Sequence, residues 1–203
     1  MNYLAHAYLS GPDDELMVGN FLGDFVKGNV NRYGEAGVTE RLRQGIRLHR
    51  AIDSFTDQHP VFRRSKKRLA PRYGLLSGVI VDLYYDHFLA QGWAEFSPKP
   101  LPAFCSHVYA VLHQNLFRLP PSTHRMVEAM STHQWLTAYA RIEGIERSLE
   151  GLARRVPVAA DIQTAGDELR LNYGAFEEDF RVFFPDIRLF CRKFIQDTAP
   201  FQR

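Results

Sequence analysis

Two stretches carry acids and imidazoles at places where an amphipathic helix would carry hydrophobes. Around GIRLHRAIDSFTDQHP, Leu42, Ile46, His49 and Asp53 recur at steps of four, three and four, the spacing that holds side chains on one helical stripe. In SGVIVDLYYDHFL, the residues Leu75, Val79, Asp82, Asp86 and Leu89 recur in the same way, and between Tyr73 and Ala94 the only ionisable groups besides tyrosines are Asp82, Asp86 and His87. An unpaired carboxylate on an inward face is driven neutral, so ionised acids there call for a compensating cation. Asp24 adds a third stretch, GNFLGDFVKGN, where Gly19, Gly23 and Gly28 bracket it among Phe21, Leu22, Phe25 and Val26. Glycines are costly in a helix, and several together suggest close approach of another helix or of a ligand.

Asp24, His49, Asp53, Asp82, Asp86 and His87 form a mixed oxygen and nitrogen donor set without thiolate, which suits Mn²⁺, Mg²⁺ or Fe²⁺ better than structural zinc. The set exceeds what one ion needs, which leaves some members to orient ligands or move protons. His6, four residues after Asn2 and among Tyr3, Leu4 and Tyr8, reads either as a satisfied core histidine or as a site residue. Between Gln58 and Val81 there is no acid, while Arg63, Arg64, Lys66, Lys67, Arg68 and Arg72 gather between the two acid and imidazole stretches. Such a run is either a solvated face or a dock for an acidic macromolecule or a phosphate-bearing substrate.

The elements that must position these residues read as helices throughout. Strand-like alternation and hairpin turns are scarce, so the chain is expected to be all-α, with helices near 2–9, 14–27, 38–57, 60–70, 74–94, 101–117, 123–130, 134–139, 142–154, 159–172 and 175–195. Pro12, Pro60, Pro71, Pro98, Pro100, Pro102, Pro120, Pro121 and Pro157 are expected between helices, and Pro185 is expected to kink the last one. Phe176, Phe180, Phe183, Phe184, Phe190 and Phe194 on that helix read as packing.

With 203 residues, 45% hydrophobic and 24% charged, the chain is expected to form a single domain over residues 1–203. A net charge of +2 and the absence of a recognised binding motif argue against nucleic acid as partner. Cys105 and Cys191 fit no metal or redox spacing, which points to a reducing cytoplasm. No signal-peptide pattern and no run of ~18 apolar residues is present, so neither export nor a membrane span is expected.

Four segments in order, NYLAHAYLS, GNFLGDFVKG, GIRLHRAIDSFTDQHP and SGVIVDLYYDHFLAQGW, resemble the acyl carrier protein phosphodiesterase family over residues 2–93. That family is an unusual branch of the HD-type metal-dependent phosphohydrolases. The resemblance implies an HD-like helical bundle that removes 4′-phosphopantetheine from holo acyl carrier protein with Mn²⁺. It matches Asp24 to a GDF acid, His49 and Asp53 to an HRxID pair, and Asp82, Asp86 and His87 to a DxxxDH element. Because Asp86-His87 reverses the usual His-Asp dipeptide, ligand roles cannot be copied from ordinary HD enzymes. The expected metal ligands are Asp24, His49, Asp53 and Asp86, with His87, His6 and Asp82 left for acid–base work. Carrier protein is expected to dock on Arg63, Arg64, Lys66, Lys67 and Arg68. The rival readings are an HD-type phosphohydrolase of nucleotides or other small phosphoesters and a non-catalytic helical binding module. A ferritin-like metal protein would need paired Glu-x-x-His elements, which are absent.

Overall fold

Helices α2 (Asp14–Leu22) and α3 (Glu40–Gln58) cross so closely that only glycines fit between them. A Cβ built on Gly19 would lie 2.0 Å from the Leu42 carbonyl oxygen, and one on Gly45 would lie 2.3 Å from that of Leu16. Both are far inside contact distance, so the crossing depends on the missing side chains. Each helix is started by its own cap: Asp13 accepts from the Leu16 N–H at 2.8 Å, and Thr39 accepts from the Leu42 N–H at 3.1 Å.

The computed structural model describes residues 1–33, 38–155 and 161–198, and among these the regular elements are all helical. Besides α2 and α3 they are α1 (Tyr3–Leu9), α4 (Pro60–Tyr73), α5 (Ser77–Gln91), α6 (Trp93–Phe96), α7 (Leu101–Gln114), α8 (Pro121–Thr132), α9 (Trp135–Ala138), α10 (Ile142–Arg155), α11 (Ala165–Leu171) and α12 (Tyr173–Asp197). Short 3₁₀ turns over Val30–Arg32, Gly74–Leu76, Leu116–Arg118 and Ile162–Thr164 link some of them. The long α12 packs Phe176, Phe180 and Phe183 against α4 and α5, where they meet Phe62, Tyr84, Tyr85 and Phe88, and Phe184 meets Tyr8 of α1 and Phe96 of α6. Phe190 stacks on Phe55 of α3 with ring centroids 4.7 Å apart, so the aromatic row is packing, as its spacing implies.

Several expected boundaries shift. The helix expected over 14–27 stops at Leu22, and Gly23 and Asp24 fall in the turn that follows. The stretch expected over 74–94 divides into a 3₁₀ turn, α5 and α6. Pro71 lies inside the last turn of α4 rather than between helices, and Pro60, Pro102 and Pro121 occupy the first turns of α4, α7 and α8, where a missing N–H costs no helical bond. Helix α12 is continuous past Pro185, and Pro157 lies outside the described residues. The stripe on α5 is inward only over its second half: Leu75 is 101% exposed and Val79 41%, whereas Asp86 and Leu89 are fully buried. Helix α5 thus enters the core from the surface, and its acids sit at different depths. No helix among the described residues is long and apolar enough to cross a membrane.

Candidate active site

The crossing of α2 and α3, with α1 laid beside it, brings together residues far apart in the chain. His6 comes from α1, while His49 and Asp53 lie one turn apart on α3. One ligating atom from each of these three side chains lies within 4.8 Å of the other two. His49 Nε2 is 3.1 Å from Asp53 Oδ2 and 3.5 Å from Asp24 Oδ1, and His6 Nε2 is 3.4 Å from Asp53 Oδ1. The two imidazoles stack with centroids 4.4 Å apart. Both histidines are buried, whereas the carboxylates of Asp24 and Asp53 are 43% and 49% exposed, so the cluster faces outward. It opens on a cleft of about 430 Å³ that Asp57, Lys66, Val79 and Asp82 also line.

Local structure holds each group in place. Gly23 lies flat against the His49 ring, since a Cβ there would sit 2.2 Å from an imidazole carbon. The turn carrying Asp24 is fixed by Arg50, whose guanidinium donates to the carbonyls of Val26 and Gly28 at 2.9 and 2.8 Å. Fully buried Asn20 orients His6. Its amide nitrogen donates to the His6 carbonyl at 3.0 Å and to Ser10 Oγ at 2.9 Å, and Ser10 in turn donates to that same carbonyl. A carbonyl accepts only, so the amide oxygen of Asn20 must be the atom 2.7 Å from His6 Nδ1, and that nitrogen must carry the proton. When His6 is neutral, its Nε2 lone pair therefore points into the cluster.

Electrostatics suit the cluster to a cation. Burial disfavours the His49 imidazolium, yet hydrogen bonds and charge from Asp24 and Asp53 override it and raise its pKa to about 9. Burial likewise opposes the Asp53 charge, but His49 and His6 hold that carboxylate far below the usual range. In the metal-free protein a protonated imidazole thus occupies the place of a cation between two carboxylates. Two imidazole nitrogens and carboxylate oxygens without thiolate fit a hard or borderline divalent ion. His49 Nδ1 is buried without a hydrogen-bond partner among the described residues.

Other expected site residues are elsewhere. Asp86 is fully buried beneath the start of α1, where Oδ1 accepts from the N–H groups of Asn2 and Ala5 at 3.2 Å each and Oδ2 from that of Leu4 at 2.8 Å. These bonds satisfy the orphan donors of a helix N-terminus, so Asp86 is a helix anchor and does not join the cluster. Burial pushes its pKa up to about 7, against the lowering effect of these N–H groups and the Met1 ammonium. His87 is also withdrawn: Nδ1 donates to the Tyr139 carbonyl at 2.7 Å, and Nε2 lies 3.0 Å from the Tyr173 hydroxyl. Burial lowers its pKa below the ordinary value, so it serves as a neutral bridge within the core. Asp82 does line the cleft, with Oδ1 2.5 Å from the Met1 ammonium.

The basic helix divides in two. Arg64 and Arg68 both reach the buried carboxylate of Asp179 on α12, which also accepts from Ser65 Oγ at 2.6 Å. They clamp α4 to α12, and their role in the expected dock gives way to that one. Lys66 lines the cleft, 3.3 Å from Asp57 Oδ1, while Arg63 and Lys67 are exposed. Asn20 was missed from sequence although its signal is of the same kind as that of Asp82: a polar residue inside an apolar helix, LMVGNFL.

Comparison with known proteins places the chain in a family. A family model described as acyl carrier protein phosphodiesterase matches residues 1–187. Curated relatives bearing the name acyl carrier protein phosphodiesterase include one from Enterobacter sp. (strain 638), 33% identical, and one from Salmonella agona (strain SL483), 32% identical; each alignment covers 91% of this chain and 94% of the relative. A third, from Photorhabdus laumondii subsp. laumondii, is 31% identical over 91% of this chain and 92% of its own length. No solved structure matches the chain. Matched by that family model from its first residue through Asp186 and Ile187, the chain belongs to the acyl carrier protein phosphodiesterase family.

Proposed function

We propose that this protein is a single-domain, cytoplasmic, metal-dependent phosphodiesterase that hydrolyses the serine–4′-phosphopantetheine bond of holo acyl carrier protein, releasing apo carrier protein and 4′-phosphopantetheine. The observation that carries this reading is the convergence of His6, His49 and Asp53, with Asp24 beside them, at the base of a cleft in a chain of this family. In the proposal these four residues hold the ion, Mn²⁺ or else Mg²⁺ or Fe²⁺. When bound, such an ion lowers the pKa of water and offsets phosphoryl charge.

The protein's own residues supply the rest. Asn20 presents the Nε2 lone pair of His6, and Gly23 and Arg50 fix His49 and the Asp24 turn. Water adds to phosphorus, the bond from phosphorus to the serine oxygen breaks, and that oxygen takes up a proton. Asp82, on the cleft wall and outside the cluster, is the carboxylate assigned to proton transfer. Lys66 lines the same cleft and offers its ammonium to the anionic phosphodiester, while Arg63 and Lys67 extend that positive edge for carrier-protein docking.

Intact-mass measurement of holo acyl carrier protein, incubated with the enzyme and Mn²⁺, tests the reaction. Loss of the phosphopantetheine mass is expected, and its retention under chelator. An unchanged carrier mass at high enzyme and Mn²⁺ would refute the reading.

A further inference from the structure

Beside the catalytic cleft lies a larger one, of about 850 Å³, between α5, α9 and α10. The two adjoin across Asn2, Tyr3 and Val79, which line both. Building on the proposed function, we infer that this second cleft seats the uncharged, amide-linked, thiol-ended arm of the prosthetic group, so that the phosphate lies at the cluster and the arm runs away from α4.

Shape and chemistry both favour this occupant. The volume falls within the range of roughly 300–1,000 Å³ typical of pockets for small organic ligands, and far exceeds what a phosphate needs. On α10, Ser148 and Gly151 line the cleft beside Arg147, Glu150 and Arg154, the last two ion-paired with each other, and Gly144 lets α10 close on the Ala138 carbonyl. Leu83, Trp135 and Leu152 offer apolar surface for methylenes and a branched methyl group. Arg147, exposed and in no salt bridge among the described residues, presents donors that amide carbonyls and hydroxyls accept. An amide-linked arm alternates those two kinds of surface. The remaining side of the catalytic cleft carries Lys66 on α4, which suits the anionic macromolecule to which the arm is attached.

The test compares ligands within one protein. Mn²⁺-loaded enzyme is titrated with 4′-phosphopantetheine, inorganic phosphate and adenosine monophosphate, with Trp135 as the fluorescent reporter and calorimetry as the second measurement. Phosphopantetheine is expected to bind at least ~10-fold tighter than phosphate, with adenosine monophosphate close to phosphate. Trp135→Ala, read by calorimetry, and Arg147→Ala are each expected to bring the ratio of the phosphate to the phosphopantetheine dissociation constant down toward one. Damage to the fold or to metal loading weakens both ligands and leaves that ratio standing, and Arg147 is exposed enough to be removed without unfolding the helix. A wild-type ratio near one, a ratio unchanged in both variants, or adenosine monophosphate binding as tightly as phosphopantetheine would overturn the assignment. Failure of the parent reading is separately visible: there the wild-type enzyme leaves holo carrier protein intact, whereas here it hydrolyses it and only the ratio fails.

Discussion

Metal binding to this protein is expected to release a proton, and the proton is that of His49. In the metal-free cluster its imidazole sits between Asp24 and Asp53 with a pKa raised to about 9, so at pH 7 it is almost wholly protonated. A metal bound through Nε2 must displace that proton. The penalty at pH 7 is about 2.7 kcal/mol, or roughly a hundredfold in affinity, because each unit between pH and pKa is worth ~1.36 kcal/mol. Calorimetric titration of Mn²⁺ into metal-free protein, in buffers of different ionisation enthalpy, should count close to one proton released per ion at pH 7 and few above pH 9. Apparent affinity should climb about tenfold per pH unit up to ~9, instead of levelling near the ordinary histidine value of 6.5. The same shift predicts stability. The folded pKa lies above the unfolded one, so the stabilisation is fully present below pH 6.5 and is lost as pH rises from 6.5 to 9. Its ceiling is ~3 kcal/mol, discounted to ~1–3 because both partner carboxylates are about half exposed. At roughly 2–4 °C per kcal/mol for a chain of this size, melting temperature should fall by ~2–12 °C across that window, and His49→Gln should flatten the fall. Mn²⁺ affinity independent of pH between 7 and 9, or equal melting profiles for wild type and His49→Gln, would refute the reasoning.

Three further outcomes follow from the placements above. Asp86→Ala orphans three N–H groups at the start of α1, two of them buried, and should cost ~2–5 kcal/mol in thermal unfolding, while folded protein still takes up Mn²⁺; lost metal at an unchanged melting temperature would return Asp86 to the ligand set. Asn20→Leu removes the acceptor for His6 Nδ1–H, so ¹⁵N NMR should show mixed imidazole tautomers and Mn²⁺ affinity should drop ~10–100-fold; a single unchanged tautomer would show that Asn20 does not set it. Arg64→Glu sets a carboxylate against buried Asp179 and should lower the melting temperature, whereas Lys67→Glu should leave it alone and raise the KM for holo carrier protein most at low salt. Equal stability of the two charge reversals would dissolve the distinction between clamp and dock.

The division between what the sequence disclosed and what it hid has a physical pattern. Helical periodicity is a local property, so the all-α class and the shared face of His49 and Asp53 were legible from spacing alone, as was close approach at Gly19 and Gly23. Spacing says which side chains share a face, but not how deep that face lies or what meets it. Asp82 and Asp86 share a stripe, yet α5 slopes inward, so one reaches the cleft and the other lies under α1. A buried acid does need compensation, but backbone N–H groups at a helix end compensate as a metal would, and nothing in DxxxDH tells the two apart. The basic run poses the same ambiguity, because Asp179, the partner of Arg64 and Arg68, lies more than a hundred residues away.

The reversed Asp86-His87 dipeptide takes on a structural meaning from this. A site built from an adjacent acid and imidazole would draw both ligands from one helix, whereas here each partner turns to a different neighbour: Asp86 to α1, His87 to Tyr139 and Tyr173. By anchoring α1, Asp86 fixes the helix that carries His6, and His6 supplies the imidazole that α5 does not. Asp86 therefore acts on the cluster through a backbone and not through a lone pair. The consequence is measurable. Asp86→Asn keeps a carbonyl acceptor for the α1 N–H groups and should retain more Mn²⁺ affinity than Asp86→Ala, whereas loss of a ligand at Asp53→Asn should abolish tight binding while leaving α1 in place. If Asp86→Asn and Asp53→Asn lowered Mn²⁺ affinity alike with the fold intact, the anchor would have to be counted among the ligands after all.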